Sequence, residues 1–144
     1  MKTTILAIAF VFTALVLHTE ALAQSLTVHT VDEWTGKPVK GVPITIRKNF
    51  MEPRGAKKGE VQTIKTNASG NAVFEHLQLN EGGFDVFVFS MGFQGLDQPC
   101  FFPAKIAPTV GLSNPIFTSL PATVTVRVHR RSFLERLELI WPGP

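Results

Sequence analysis

The sequence predicts an all-β fold, an antiparallel β-sandwich of about seven or eight strands that follows a cleaved signal peptide. Short runs in which apolar and polar residues alternate are the first observation that predicts it. The second is that Gly, Asn and Pro separate these runs at turn-like spacings, and the third is that no long run has helical periodicity. The chain has 144 residues, enough for one domain with its own core.

The amino-terminal segment has the features of a secretory signal peptide. Lys2 supplies a positive charge, residues 5–17 are apolar, and Ala21-Leu22-Ala23 fits the small-x-small cleavage pattern. We expect cleavage after Ala23, so that residues 24–144 form a secreted or periplasmic domain. The apolar run has about 13 residues, fewer than the roughly 20 of a membrane-spanning helix, and no later segment is apolar enough to span a bilayer.

Alternation predicts the first strands in order. Leu26–Asp32 reads as a strand that turns Leu26, Val28 and Thr30 to one face. Residues 33–38 read as a turn in which Gly36 can adopt a positive φ. Residues 39–48 read as a second strand, and Pro43 within it predicts an edge position or a bulge.

The middle of the chain continues the pattern. Residues 49–59 are polar and predict a long exposed loop, and further strands are expected over residues 61–66, 71–75 and 84–90, with turns at residues 67–70 and 81–83. The strand at residues 84–90 is apolar on both faces, which predicts a central position. Phe87 and Phe89 share one of those faces, and we expect them to lie in the core, in a subunit interface or against a ligand.

The last third of the chain is harder to divide. Four prolines interrupt residues 94–120, where residues 110–117 are expected to hold a short strand. Ala122–Val128 is a strand with Val124, Val126 and Val128 facing inward. Residues 133–141 fit both a strand and a helix face, and we predict a strand.

Charge and cysteine content exclude several classes of function. The net charge of +3 is small and the basic residues are scattered, so no nucleic-acid surface is expected. Cys100 is the only cysteine, which rules out an internal disulfide, and its apolar neighbours favour a buried, inert thiol over a nucleophile or an intermolecular bridge. His29, His76 and His129 lack ligand spacing, so neither a metal nor a cofactor is predicted.

Several motifs resemble the transthyretin and 5-hydroxyisourate hydrolase family. The likeness lies in the first strand at residues 26–32, in Thr35-Gly36-Lys37-Pro38, in the turn at residues 66–70, in residues 81–86 and in Cys100-Phe101-Phe102-Pro103. The turns at residues 32–39 and 66–70, with Gly92-Phe93, are also similar to the carboxypeptidase regulatory-like module. Both resemblances imply a transthyretin-like sandwich over residues 24–144, and the first implies assembly through sheets into a homodimer or homotetramer.

The hydrolase resemblance implies a site that this chain holds only in part. His29 matches the histidine of the family's first strand. Asn71 stands where the family has an arginine after the turn glycine, and Glu135 stands where it has a second histidine. The family's terminal Tyr-Arg-Gly-Ser is missing, since the chain has no tyrosine and ends Pro142-Gly143-Pro144. A lone base cannot orient water and stabilise an oxyanion, which leaves His29, Asn71 and Glu135 as weak catalytic candidates.

We therefore expect a secreted, non-catalytic, transthyretin-like domain that binds a small molecule, a glycan or a protein. Two alternatives stay open from the sequence. The first is a diverged hydrolase with a rebuilt pocket around His29, Asn71 and Glu135. The second is an accessory module for carbohydrate or the cell envelope.

Overall fold

A computed structural model describes residues 25–48, 61–80 and 82–141 of the chain. The predicted signal peptide, the predicted loop at residues 49–59 and the last three residues lie outside these ranges. The elements of the described part are β1 (Leu26–Asp32), β2 (Pro43–Lys48), β3 (Val61–Lys65), β4 (Asn71–Phe74), β5 (Phe84–Phe87), β6 (Phe93–Gly95), β7 (Cys100–Phe101), a 3₁₀ turn (Ala107–Thr109), β8 (Ile116–Phe117), β9 (Ala122–Arg130) and α1 (Phe133–Ile140).

The strands form two sheets packed face to face. One sheet has the order β4-β1-β9-β6 and the other has the order β3-β2-β5-β7-β8. The predicted all-β sandwich is therefore confirmed, and β5 is central as predicted. Two pairings, β1 with β9 and β7 with β8, are parallel, while the other strand pairs are antiparallel.

The core follows the alternation of the sequence. Leu26, Val28 and Thr30 of β1 face inward, as predicted. The inward valines of β9 and Ile44 and Ile46 of β2 are also buried. The Phe101 ring stacks against two others, with centroid distances of 4.6 Å to Phe84 and 5.1 Å to Phe117. Apolar burial of this kind is the main force that holds the two sheets together.

Pro43 does not mark an edge strand, because β2 lies between β3 and β5. Pro43 is the first residue of β2 and pairs with Lys65 of β3, whereas the pairing with β5 begins only at Thr45. A proline at the first position of a strand interrupts little of the ladder. The edge position predicted for this residue was therefore wrong.

Residues 133–140 form the helix α1, so the strand predicted there was wrong. Ser132 and Glu135 make a capping box, in which the Ser132 side chain accepts a hydrogen bond from the Glu135 backbone N–H and the Glu135 carboxylate accepts one from the Ser132 backbone N–H. These reciprocal bonds satisfy two backbone donors at the helix start. No residue of α1 is buried, so local capping rather than packing accounts for the helix. Neither this helix nor the 3₁₀ turn is long and apolar enough to cross a membrane.

A buried polar junction joins β1 to the two turns beside it. The Thr30 side chain is fully buried, and its hydroxyl donates to the carbonyl oxygens of Val39, at 2.8 Å, and Gly70, at 3.2 Å. The Thr30 backbone N–H also donates to the Gly70 oxygen, at 2.8 Å. Gly70 has a φ of +77°, and a Cβ placed on it would lie 2.8 Å from the Thr30 carbonyl oxygen. Only glycine therefore fits this turn without strain.

Replacing Gly70 should destabilise the domain more than replacing Gly36, which serves as its matched control. Both have positive φ, but a Cβ on Gly36 would meet nothing within 4 Å. Gly36→Ala should therefore lower the free energy of unfolding by about 1 kcal/mol, the cost of a left-handed residue. Gly70→Ala should cost at least about 1 kcal/mol more, because the new methyl group crowds the backbone. Urea unfolding measures both, and equal losses would contradict the crowding.

Candidate functional site

Two of the three predicted catalytic candidates are neighbours in the structure. His29 on β1 and Asn71 on β4 are directly paired across the ladder, and His29 Nδ1 is hydrogen-bonded to Asn71 Oδ1 at 2.7 Å. Both residues lie on the outer face of the β4-β1-β9-β6 sheet, since the alternate residues of β1 are in the core. The amide therefore fixes the imidazole ring, but it brings no positive charge to it.

Glu135, the third candidate, belongs to a different cluster. Its carboxylate is hydrogen-bonded to His129 Nε2 at 2.9 Å, and the other ring nitrogen, Nδ1, contacts the Glu33 carboxylate. His129 thus links the turn after β1, the end of β9 and the first turn of α1. Although α1 buries no residue, this bond ties its first turn to the end of β9.

The strand register separates the two clusters. His29 pairs with Thr125 of β9, and His129 lies four residues further along the same strand. At about 3.3 Å per residue, this spacing is about 13 Å along the sheet. The structure brings His29 and Asn71 together and places Glu135 elsewhere.

The carboxylates around His129 favour its charged form. The hydrogen bonds that its ring donates, first to Glu135 and then to Glu33, raise the pKa of His129 above its usual value. The backbone N–H of Ser132, followed by its side chain and by His129, lowers the pKa of Glu135 to about 2. A doubly protonated imidazole can donate to both carboxylates, whereas the neutral ring has one donor only.

An open cleft of about 300 Å³ lies where the chain passes from β5 to β6. The residues that line it are Arg47, Phe87, Val88, Phe89, Gln94, Gly95, Asp97, Gln98 and Arg131. At this corner between the sheets, Phe89 and Gln94 form an isolated antiparallel β-bridge. The corner joins residues that are up to 84 positions apart in the chain, and their convergence cannot be deduced from local sequence patterns.

A buried carboxylate fixes one of the two cations of the cleft. Asp85 is fully buried on β5, where it pairs with Arg47 of β2. The Arg47 guanidinium donates to it twice, through Nε at 3.2 Å and a terminal nitrogen at 2.7 Å, and Gln98 Nε2 donates at 2.6 Å. A buried charge is tolerated only with such partners. The Arg47 side chain is 46% exposed and lies 5.5 Å from the centroid of the Phe87 ring.

The second cation, Arg131, follows the end of β9. Its guanidinium carbon lies 5.5 Å from the centroid of the Phe89 ring, and Nη1 donates to the Ser90 carbonyl oxygen at 3.2 Å. Phe89 is 69% exposed, so the core position expected for it was wrong and its ring lies at the surface of the chain. The cleft therefore presents two oriented arginines, each beside a phenylalanine ring.

Cys100 does not line the cleft. It is buried, as predicted, and pairs with Asp85 across the β5–β7 ladder. Burial, with a further contribution from the Asp85 carboxylate, raises the pKa of the Cys100 thiol to about 11. A thiol with so high a pKa is a poor nucleophile at neutral pH. Among the described residues, no group of three His, Cys, Asp or Glu side chains is placed to hold a metal ion.

Comparison with known families supports the fold. Residues 24–85, which include β1 to β4 and the start of β5, match the family described as SpaA: Prealbumin-like fold domain. The match supports a prealbumin-like sandwich fold. It does not identify the chain as a member of the transthyretin and 5-hydroxyisourate hydrolase family. No curated protein matches the chain.

Several solved structures are similar to the chain at low identity. The pilus 2b backbone protein of group B streptococcus is 16% identical with a TM-score of 0.46, and the match covers 78% of this chain and 43% of that one. The shaft pilin SpaA of Lactobacillus rhamnosus GG is 18% identical with a TM-score of 0.44, and the match covers 76% of this chain and 50% of that one. An intradiol ring-cleavage dioxygenase of Tetranychus urticae is 16% identical with a TM-score of 0.47, and the match covers 79% of this chain and 85% of that one. The chain thus spans half or less of the length of the two pilins.

The stability conferred by His129 should depend on pH. Because its pKa is raised on folding, the contribution is complete below the unfolded value of about 6.5 and is lost as the pH rises through the folded pKa. The free energy of unfolding of the unmodified protein should therefore exceed that of His129→Gln by more at pH 6 than at pH 9. In Glu135→Gln, which can still cap the helix, this pH dependence should shrink. A difference that stays constant with pH would contradict the linkage.

Removing Arg47 should destabilise the domain more than removing the charge of Asp85. Arg47→Met leaves a fully buried carboxylate to which the Gln98 amide still donates, which should cost about 3 kcal/mol. Asp85→Asn leaves a half-exposed guanidinium that water can solvate, at about 1–2 kcal/mol. The double variant Arg47→Met/Asp85→Leu should recover most of the larger loss. Denaturant unfolding compares the three, and equal losses for the two single variants would contradict this asymmetry.

Proposed function

We propose that this chain is an exported, non-catalytic, prealbumin-like domain that acts as a binding or interaction module. The observation that carries the proposal is the separation of the candidate catalytic residues. His29 is bonded to Asn71, while Glu135 is bonded to His129 and to the helix start about 13 Å away along the sheet. Each side chain has a structural partner where it stands.

The cleft gives the proposed module a contact site. Its two arginines are held by Asp85 and by the Ser90 carbonyl oxygen, so they are oriented before any ligand arrives. Oriented groups lose less conformational entropy on binding than mobile ones do. The match of residues 24–85 to a prealbumin-like fold domain of the SpaA type is consistent with a structural or adhesive role at the cell surface.

The diverged hydrolase is the alternative to be tested, with 5-hydroxyisourate as the substrate. The decay of this compound, followed by its ultraviolet absorbance, should proceed at the same rate with the unmodified protein and with His29→Ala. Thr27→Ala is the matched control, because Thr27 lies on the same face of β1 two residues away. An acceleration that disappears in His29→Ala and persists in Thr27→Ala would overturn the proposed function.

A further inference from the structure

The cleft at the β5–β6 corner has positive charge available to a ligand. Arg131 lines it together with Arg47, which is paired with Asp85, and Asp97 is the carboxylate that lines it with them. Asp97 is already paired with Arg127, which donates to it from Nε at 3.0 Å, from a terminal nitrogen at 2.8 Å and from its backbone N–H at 2.9 Å. The Arg131 guanidinium, in contrast, contacts a carbonyl oxygen and an aromatic ring. A planar guanidinium of this kind is suited to a carboxylate.

Aromatic surface lies directly beside that charge. Phe89 is 69% exposed and Phe87 is partly buried, and both line the cleft with the amides of Gln94 and Gln98. The negative face of an aromatic ring attracts the polarised C–H groups of an apolar ligand face. Amides can hydrogen-bond hydroxyl groups. The combination fits a ring that carries a carboxylate, hydroxyl groups and one flat C–H face.

The backbone at this corner is not available to a peptide strand. Residues 93–95 pair with β9 on one side, and on the other side Gly95 N–H donates to the Val88 oxygen and Ser90 N–H donates to the Phe93 oxygen, both at 3.2 Å. An extended peptide gains much of its affinity by adding to a free sheet edge. Because β6 is bonded on both sides, the cleft recognises its ligand through side chains, which favours a sugar over a peptide segment.

We infer that this cleft binds a uronic acid residue of an acidic polysaccharide, with its carboxylate at Arg131 and its ring against Phe89. The inference rests on the proposed function and names its ligand class. The open shape of the cleft admits one residue of a longer chain, since the ligand need not be enclosed.

Binding of polygalacturonate to the purified protein, measured by calorimetry at fixed ionic strength, tests the inference. Arg131→Gln and Phe89→Ala should each weaken binding about tenfold or more, the usual effect of losing a charge-assisted or stacking contact. Arg130→Gln is the matched control, since Arg130 lies 6.0 Å from the Phe93 ring and does not line the cleft. It should bind as the unmodified protein does. Methyl-esterified polygalacturonate should bind about tenfold more weakly, and galacturonic acid, unlike glucose, should displace the polymer.

Three results would overturn the inference. The first is the absence of binding to polygalacturonate. The second is an equal loss in Arg130→Gln and Arg131→Gln, which would indicate diffuse attraction between charges. The third is binding of poly-glutamate that is as tight as that of polygalacturonate and equally dependent on Arg131, which would assign the cleft to acidic peptides. None of these results contradicts the proposed non-catalytic function. Hydrolysis that depends on His29 would contradict that function as well. Because Phe89 is exposed, Phe89→Ala should keep the melting temperature of the unmodified protein.

Discussion

The parallel ladder between β1 and β9 is the constraint on which the rest of the structure depends. Seven residue pairs, from Leu26 with Ala122 to Asp32 with Val128, join the first strand to the last. The ladder lies at the centre of its sheet and turns inward-facing residues of both strands into the core. A shift of one residue would turn these side chains outward, so the hydrophobic pattern of both strands fixes the register.

The same register determines what lies beyond the ends of the two strands. Since Asp32 is level with Val128, Glu33 and His129 become neighbours, and the imidazole can contact carboxylates from two other elements. The chain then leaves β9 at Arg130, which places Arg131 at the cleft and Ser132 at the start of α1. The position of Arg131 in the cleft and the start of the helix thus both depend on this one strand pairing.

The sequence predicts the parts of this structure that alternation determines. β1, β5 and the inward valines of β9 follow directly from period-two patterns, and the turn at residues 67–70 follows from its Asn and Gly. β6, β7 and β8 have two or three residues each, too few to show a period. The capping box at Ser132 and Glu135 was the signal for α1, and an apolar alternation that also fits a strand masked it. The hydrogen bonds of Asp85 to Arg47 and Gln98 depend on how the strands are paired. Local sequence patterns do not specify this pairing.

The Asp85–Arg47 pair shows how a costly interaction can orient an exposed side chain. Two well-packed apolar side chains at these positions would hold β2 to β5 as well as, or better than, a buried ion pair does. What the ion pair provides and an apolar pair cannot is a guanidinium held by two hydrogen bonds, with nearly half of its side chain facing solvent beside Phe87. Its orientation is fixed when the domain folds, so less of its conformational entropy would be lost on contact with the ligand proposed for the cleft. The burial of Asp85 costs free energy, and it fixes the orientation of the Arg47 guanidinium in the cleft.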